Sequence, residues 1–514
     1  MSFTSVEFLI FVAALVLLYY VLPKKCQWPL LLAASCGFYI LGGGAAIAYL
    51  AFTALLTWWA GLLLGRLNAK MKELPKEERG VPAGRKRLVV LVTCLLAFGQ
   101  LFVLKYLGFT LEAIARLFGR EGFTLELVLP LGLSFFTFQA VGYVVDCYRG
   151  QVEPERNFGK YALFVSFFPQ IIQGPISRFG DLEHQLCAQR SLDWDKLKYG
   201  IQLAMWGYFK KLVIAERAGV VADAVFGDVW SWHGSVMAFG ALAYCVQLYC
   251  DFSGGIDITR GVAQMLGIDL AENFRRPIFA LSLQDYWRRW HITLGAWMRD
   301  YVFYPLALSK PFRRVGSVAR KRLKGPAGKV LATSLATFVV YFVIGIWHGA
   351  SFKYIAYGFY NGGLITLGLL LEPYFARLRP KIHMDERPGW QLFRMARTWL
   401  IVFAGRYITR APRLLTGLAM LKATVLDFNA SSLTDGTLLS LGLSGFNMAV
   451  CALGVLVVLV VEGYQEKGGH VRLWMERRSG FAQWAMLMVS LLVILVLGAA
   501  GSGYVPAEFI YAQF

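Results

Sequence analysis

Long apolar runs separated by short polar connections dominate the sequence. Several runs approach the roughly 20 residues that a helix needs to cross a bilayer, where it satisfies its own backbone hydrogen bonds. With the shorter runs included, the pattern predicts about a dozen membrane-spanning helices, with short re-entrant or interfacial pieces among them. The clearest runs are Val6 to Leu22, Leu88 to Leu107, Val330 to Trp347, Phe446 to Val461 and Ala482 to Ala499.

Basic residues cluster in the connections between these runs. Residues 66–87 contain eight Lys or Arg and three Glu, and residues 309–329 contain eight Lys or Arg and no acidic residue. Such clusters are typical of cytoplasmic loops, so we expect both on the cytoplasmic side. The lysines at 24–25 follow the first apolar run and no basic residue precedes it, which predicts an external N-terminus without a cleavable signal. Residues 28–65 must then cross outward and back, with a turn at the three glycines of 42–44.

The composition indicates a polytopic membrane protein. Of the 514 residues, 57% are hydrophobic and only 16% are charged, and the mean hydropathy is +0.52. The net charge of +20 does not indicate nucleic-acid binding, because the basic residues lie between apolar spans and no known nucleic-acid-binding module is present. The eight cysteines show no CxxC motif and no Cys/His spacing suited to zinc, so we expect small buried thiols and no metal site. Nothing in their spacing argues for a disulfide.

Polar groups embedded in apolar sequence are concentrated between residues 130 and 363. The stretch WRRWHITLGAWMRDYVFYPL at 287–306 needs a particular explanation, because a charge at the bilayer centre costs at least about 2.5 kcal/mol. At about 100° per residue its aromatic and polar residues separate onto adjacent faces of one helix, which predicts either an interfacial amphipathic helix or the wall of a polar funnel. The aromatic face comprises Trp287, Trp290, Leu294, Trp297 and Tyr301, and the polar face comprises Arg288, His291, Gly295 and Arg299.

Two of the six histidines, His291 and His348, lie in apolar and aromatic sequence. His348 belongs to GIWHGASF at 345–352, at the end of an apolar run. A neutral histidine accepts a proton near physiological pH, as a general base must, although a hydrogen-bonded structural histidine fits the same pattern. No GxSxG nucleophile elbow occurs. Further embedded polar groups lie in FPQIIQGPISRF (168–179), QLYCDFSGGID (247–257) and ENFRRP (272–277).

Together these motifs resemble the membrane-bound O-acyltransferase family. The likeness rests on YWRRWHITLGAWMRDYVFYPL followed by IWHGASF, and it extends to the three stretches above, to PLGLSFFTFQAVGYVVDCYRG (130–150) and to the aromatic C-terminus EFIYAQF. The central motifs occur in the family's order between residues 130 and 363. Within the family, the sequence is similar to the bacterial branch that includes the membrane subunit of alginate O-acetyltransferase and, more distantly, the protein that exports D-alanyl groups to teichoic acids.

The resemblance implies an all-α polytopic fold, with tilted helices in a ring around a central tunnel and one integral-membrane domain over residues 1–514. It also implies that His348 is catalytic and that His291 is the second polar member of the site, where it orients the donor carbonyl or relays protons. Transfer through an acyl-histidine or an acylated partner stays open. The other residues expected to bind substrate are Trp287, Arg288, Arg289, Trp290, Arg299, Asp300, Tyr301, Trp347, Asp251, Ser253, Asn273 and Gln173.

The implied reaction moves an acyl group, in the first instance acetyl, from a cytoplasmic thioester to hydroxyls of an extracytoplasmic polysaccharide or cell-wall polymer. It places the protein in the bacterial cytoplasmic membrane, in contact with lipid and without a bound cofactor. Acetyl-CoA or an acyl-carrier protein is the expected donor, and an extracytoplasmic acyltransferase of the serine-hydrolase type is the expected partner.

After Leu306, alginate-type members have a Gly-Gly-Asn-Arg turn, whereas this chain has the longer basic loop 309–329. That loop suits the phosphates of coenzyme A or an acidic carrier protein, or it only fixes the topology.

Three other functions stay open. The chain could transfer D-alanyl groups from a carrier protein to teichoic acid, act as a transporter or lipid flippase, or support an acyltransferase elsewhere without catalysis. Transporters often have symmetric halves with broken helices in matching positions, whereas the polar motifs here lie in one central block. Both histidines are present, which disfavours a helper without catalysis.

Overall fold

The computed structural model describes residues 2–120, 129–323, 325–381 and 389–498, together with Leu127, Met384 and Arg387. In this part of the chain all regular structure is helical, and one isolated antiparallel bridge joins Phe274 to Trp290. The all-α fold class predicted from the sequence is therefore confirmed. The motif EFIYAQF at the C-terminus lies outside the described residues.

The described helices divide into two compact units. Among the described residues, the first contains those up to 207 and residues 255–271, and the second contains residues 208–254 and 272–498. The expectation of one domain over the whole chain, with a catalytic block between residues 130 and 363, stays a prediction.

Aromatic contacts pack the interior of the first unit. The rings of Phe8 and Phe168 lie 6.4 Å apart and those of Tyr143 and Tyr161 lie 4.5 Å apart, all of them buried. The hydroxyls of Tyr161 and Thr57 share a hydrogen bond of 2.7 Å. The helices are α1 (Val6–Val21), α2 (Gln27–Gly43), α3 (Ile47–Glu73), α4 (Gly80–Lys105), α5 (Leu107–Leu117), α6 (Leu133–Arg149), α7 (Phe158–Ser166), α8 (Phe168–Ile171), α9 (Phe179–Cys187) and α10 (Trp194–Tyr208), which ends at the boundary of the unit.

The second unit is built from longer helices and short interrupted ones. They are α11 (Glu216–Gly227), α12 (Gly234–Met265), whose last part belongs to the first unit, α13 (Leu283–Arg289), α14 (Ile292–Met298), α15 (Tyr304–Ala307), α16 (Lys310–Arg322), α17 (Pro326–His348), α18 (Phe352–Lys381), α19 (Trp390–Arg410), α20 (Leu414–Leu426), α21 (Gly445–Glu466), α22 (Val471–Glu476) and α23 (Gly480–Leu497). Two π-helical segments, Phe209–Ala215 and Arg299–Phe303, lie between them.

Glycines allow α17 and α18 to pack closely. A Cβ atom at Gly345 would lie 2.6 Å from the carbonyl oxygen of Tyr354 and 2.7 Å from the Cα of Gly358, so a larger residue does not fit. Small residues at such contacts are typical of helix pairs in membranes. The contact places the end of α17, which carries His348, beside the start of α18.

Seven helical segments of the described chain are long and apolar enough to cross a membrane. One of them, Lys24–Glu73, contains α2 and α3, which are separated at Gly44 (φ +54°). The helix is therefore interrupted at the predicted glycines, whereas the outward and return crossing of residues 28–65 stays a prediction. Two shorter apolar helices, α1 and α20, add to the set. The chain is a multi-pass membrane protein, whereas the count of about a dozen passes and the ring around a tunnel stay predictions.

Candidate functional site

The predicted helix over residues 287–306 is interrupted at His291. Helix α13 ends at Arg289, Trp290 is extended, and His291 has a left-handed backbone (φ +50°) before α14 begins at Ile292. The prediction of one continuous amphipathic helix is therefore wrong. A left-handed conformation is uncommon for a residue other than glycine and persists only where its surroundings hold it.

A backbone pairing with the preceding segment causes this break. The N–H of Arg275 donates to the carbonyl oxygen of Arg289 (2.9 Å), and the N–H of Ile292 donates to the carbonyl oxygen of Asn273 (3.0 Å). These bonds satisfy backbone groups that a continuous helix would have paired internally. Helical periodicity depends on neighbours three or four residues apart, so it could not detect this pairing.

The side chain of Asn273 orients the imidazole of His291. Its Oδ1 accepts from the backbone N–H of Thr293 (2.9 Å), from the Thr293 hydroxyl (2.9 Å) and faces Nδ1 of His291 (3.3 Å). A backbone N–H can only donate, so the Asn273 atom is the acceptor oxygen and Nδ1 of His291 must carry the proton. Nε2 of His291 then holds the lone pair and is the nitrogen that can accept a proton.

His291 is buried against two aromatic rings, with 1% of its surface exposed. Its ring centroid lies 4.9 Å from that of Phe252 and 5.6 Å from that of Trp347. The residue stands outside the seven candidate spans. Burial lowers the pKa of the His291 imidazole well below its usual range, and the neighbouring His348 lowers this pKa further. His291 is therefore neutral at physiological pH.

His348 is the last residue of α17 and is also buried. Its ring lies 5.1 Å from that of Trp347 and stacks with that of Tyr354 at 6.3 Å. A Cβ atom at Gly349 would lie 2.6 Å from the Tyr354 ring, so the glycine of the WHG motif makes room for this tyrosine. The Trp347 indole contacts both imidazoles, and the structure thus brings His348 and His291 into one aromatic site.

Residues of α13 extend this site. The indole N–H of Trp287 donates to Oδ1 of Asn361 on α18 (3.2 Å). Trp290 is buried and stacks on Tyr286 at 5.5 Å. Arg288 is exposed. The tryptophans predicted from the sequence therefore form part of the packed wall beside the histidines.

Arg289 is held by two carboxylates. It lies 3.2 Å from Asp285 and 2.9 Å from Glu466, and Glu466 also lies 2.7 Å from Arg276. Glu466, at the end of α21, thereby joins the two paired segments that hold His291. The sequence analysis missed Glu466, because it is 177 positions from Arg289 and no local pattern connects them.

Arg299, Asp300 and Tyr301 lie in the π-helical segment after α14. Nε of Arg299 donates to Oδ1 of its neighbour Asp300 (2.9 Å), and the Tyr301 ring packs 5.1 Å from that of Trp297. The two charges neutralise each other locally. Contact of these three residues with substrate stays a prediction.

Asp251 and Ser253 belong to a buried ion network. Nζ of Lys211 lies 2.6 Å from Oδ1 of Asp251 and 2.7 Å from Oε1 of Glu216, and Nζ of Lys210 donates to Oγ of Ser253 (2.9 Å). The sequence could not assign a partner to Asp251, and the structure pairs it with a lysine. Neither lysine was singled out, because an isolated Lys-Lys pair in apolar sequence does not indicate where its counter-ions lie.

This ion network lies next to the ring that packs on His291. Both lysines come from the π-helical segment Phe209–Ala215, and π-helical turns occur frequently at functional sites. Phe252, which contacts the His291 ring, lies between Asp251 and Ser253 on α12. The network therefore anchors the part of α12 that faces His291.

Two further buried side chains concern the site prediction. Gln173 belongs to the first unit, where a Cβ atom at Gly255 would lie 2.6 Å from its Oε1. Its role in substrate binding stays a prediction.

Arg406 of α19, which the sequence analysis missed, is 5% exposed and donates from Nη2 to the hydroxyl of Tyr286 (2.7 Å). Its guanidinium carbon lies 5.4 Å from the ring centroid of Trp290.

The cysteines are all free thiols, three of them buried and five half-buried. In the described part of the chain, no group of three or more His, Cys, Asp or Glu side chains is arranged to hold a metal ion.

Comparison with known proteins connects this site to a family. The sequence profile of the membrane-bound O-acyltransferase family matches residues 156–320. A probable alginate O-acetylase of Pseudomonas putida is 32% identical over 539 aligned positions that cover 100% of both chains. The peptidoglycan O-acetyltransferase of Helicobacter pylori is 28% identical over 71% of each chain. The teichoic acid D-alanyltransferase of Bacillus subtilis is 27% identical over 47% of this chain and 59% of its own.

Proposed function

The chain belongs to the membrane-bound O-acyltransferase family, and on this premise we propose that it moves acetyl groups from a thioester to hydroxyls of an extracytoplasmic polysaccharide or cell-wall polymer. Relatives named for O-acetyl transfer to alginate and peptidoglycan support this choice of acceptor class. One structural observation supports the chemistry most directly. Two buried histidines contact the same indole, and a side-chain amide leaves Nε2 of one of them ready to accept a proton.

The proposal assigns different tasks to the two histidines. A thioester is already activated, so transfer needs a base for the hydroxyl proton and a group that stabilises the developing oxyanion. His348 takes the proton of the acceptor hydroxyl. Neutral His291 has no proton on Nε2, so it can accept a proton but cannot donate a hydrogen bond to the donor carbonyl. Of the two roles expected for His291, proton relay is therefore favoured.

The remaining residues of the predicted set support or line the site in this proposal. Trp287, Trp290 and Trp347 form its aromatic wall. Asn273 positions His291. Arg289, Asp251 and Ser253 hold the wall through ion pairs and hydrogen bonds, and Asp300 pairs with its neighbour Arg299. Tyr301, Gln173 and the exposed Arg288 complete the substrate-binding set.

We assign binding of the donor to α16, the basic helix of loop 309–329. The Ser309 hydroxyl accepts from the N–H of Phe312 at its start, and Gly316 and Ala319 are buried. Its arginines and its lysine at 321 are exposed, and the loop contains no acidic residue. Such a surface attracts the phosphates of coenzyme A or an acidic acyl-carrier protein at the cytoplasmic face.

The proposal includes a location and a partner. The location is the bacterial cytoplasmic membrane, and the partner is an extracytoplasmic acyltransferase of the serine-hydrolase type that completes transfer to the polymer. The likeness to a teichoic acid D-alanyltransferase supports a second candidate, D-alanyl transfer from a carrier protein. The two candidates differ in the donor that the chain consumes.

Donor consumption by the purified protein in detergent tests the proposal. Radiolabelled acetyl-CoA, acetylated carrier protein and D-alanylated carrier protein are compared, with and without the partner enzyme and acceptor polymer. We expect labelled acetyl on the polymer only when this chain and the partner are both present. Consumption of the D-alanylated carrier alone supports the second candidate. A protein inert towards all three donors with the partner supplied would favour a transporter or a helper without catalysis.

A further inference from the structure

Arg406 is a buried cation without a carboxylate partner in the described part of the chain. Its guanidinium donates to the Tyr286 hydroxyl and lies over the face of Trp290, while its Nε has no acceptor among the described residues. Burial lowers the pKa of the Arg406 guanidinium, whereas the nearby phenols of Tyr286, Tyr357 and Tyr244 and the Cys245 thiol raise it. Lys211, which is equally buried, has two carboxylates. Arg406 thus departs from the rule that buried charges are paired with an opposite charge.

The surroundings of Arg406 are those of the two histidines. Trp290, which lies under the guanidinium, directly precedes His291. The ring of Tyr357 lies 6.1 Å from that of His348. A Cβ atom at Gly405 would lie 3.1 Å from the Tyr357 ring, so the glycine before Arg406 lets this tyrosine approach α19. The positive charge is therefore held in the same aromatic site as the proposed base.

We propose that Arg406 is an oxyanion-binding residue whose ligand is the carbonyl oxygen of the acyl group. This inference rests on the proposed function. As the acceptor oxygen bonds to the acyl carbon, its proton passes to the imidazole of His348 and the π electrons of the carbonyl group move onto the carbonyl oxygen. The guanidinium of Arg406 binds the resulting oxyanion. When this electron pair re-forms the carbonyl bond, the carbon–sulfur bond breaks and the thiolate leaves with the proton from His348. A fixed cation in a water-poor site stabilises such a charge far more than it does in water.

Acetate, a small oxyanion with the shape of the acyl group, provides a test that does not require activity. Purified protein in detergent is titrated with sodium acetate at constant ionic strength while its melting temperature is recorded. Wild type should show a saturable rise, and Arg406→Gln should lose it. Arg410→Gln is the matched control, because Arg410 is one turn further along α19 and is paired with Asp223. An equal rise in Arg406→Gln, or its loss in Arg410→Gln, would overturn the proposal.

Tyr286→Phe provides the test if Arg406→Gln does not fold. It keeps the ring that stacks on Trp290 and removes only the hydroxyl that fixes Nη2. We expect acetate affinity to fall severalfold, and unchanged affinity would contradict the proposal.

Steady-state kinetics identify the source of the oxyanion. Arg406→Gln should lower kcat for acetyl transfer by about 100-fold or more and change KM for the donor little, with partial rescue in Arg406→Lys. If Arg406→Gln only raises KM for the acceptor and leaves kcat unchanged, the ligand of Arg406 is a carboxylate of the acceptor. This result would overturn the assignment to the acyl carbonyl. If wild type transfers no acetyl group, the proposed function fails, while the acetate titration still decides whether Arg406 binds an oxyanion.

Discussion

A single side-chain oxygen, Oδ1 of Asn273, determines which nitrogen of His291 is basic. Thr293 supplies two donors to this oxygen, so the amide cannot turn without losing them. The sequence predicted Asn273 and His291 as site residues, but not their relation. That relation depends on a backbone pairing between residues 273–275 and 289–292, which composition and periodicity do not contain.

Replacing Asn273 with Asp tests this relation through pH. The carboxylate still accepts from Nδ1 and from Thr293, but its negative charge favours the protonated imidazole and raises the pKa of His291. Nε2 is then protonated at higher pH, so the acid limb of the kcat/KM profile should move upward by about one pH unit. The pH–rate profiles of wild type and Asn273→Asp measure this shift.

Asn273→Ala is the companion variant. It removes the acceptor and leaves the imidazole free to turn or to change tautomer, so we expect kcat/KM to fall by about 100-fold at every pH. An unchanged pH profile in Asn273→Asp together with full activity in Asn273→Ala would show that this oxygen does not control His291.

At the scale of elements, the break between α13 and α14 is maintained from outside. Glu466 of α21 joins Arg276 and Arg289 on the two paired segments, and the Lys211 network anchors α12 next to the same site. Local sequence predicted the helices on either side of His291 but joined them into one. The elements that keep them apart come from distant parts of the chain.

Glu466→Gln should loosen the pairing around His291. The three side chains are 20–27% exposed, so solvent screens the pairs partly and we expect a loss of about 1 kcal/mol of stability. The melting temperature should fall by a few degrees, and kcat should fall more than KM rises, because misplacement of the histidine affects the chemical step.

Glu372→Gln is the matched control for this prediction. Glu372 pairs with Arg379 on α18 and is 58% exposed, so its replacement should leave both measurements unchanged. If Glu466→Gln and Glu372→Gln changed the melting temperature and kcat equally, the claim that Glu466 holds the pairing around His291 would be contradicted.

At the scale of the whole molecule, the basic residues behind the net charge of +20 are concentrated in the connections between apolar runs, and one of these clusters forms α16. The double variant Arg313→Glu, Arg314→Glu should raise KM for acetyl-CoA about tenfold at low salt and leave kcat nearly unchanged, because it weakens attraction rather than chemistry. Added salt should reduce the difference by screening. Initial rates across donor and salt concentrations measure both effects.

The same change of charge in another basic loop provides the control. Arg85→Glu, Arg87→Glu alters exposed arginines in residues 66–87 and should leave KM for the donor unaffected. If both double variants raise KM equally, α16 acts only through overall charge or topology.

The sequence alone predicts the apolar helices and the two site histidines, but not the residues whose role depends on distant contacts. Apolar runs predicted α1, α17 and α23 to within about four residues of their ends, because a spanning helix depends on local hydrophobicity. Helix α4 begins before its apolar run and α21 continues beyond its run, because both helices extend into polar sequence. The two histidines were found because polar residues in apolar sequence are costly and need a reason. Arg406, Glu466 and Lys211 were missed, because their importance depends on what they contact and not on their neighbours in the chain.

The central claim is that His348 takes the hydroxyl proton during acyl transfer. Its most direct test is a single-turnover measurement of acetyl transfer from the labelled thioester to the acceptor, comparing wild type, His348→Ala and the exposed-histidine control His184→Ala. We predict that His348→Ala, with an unchanged melting profile, transfers about 100- to 10,000-fold more slowly, whereas His184→Ala matches wild type. Transfer by folded His348→Ala at the rate of wild type would contradict the account.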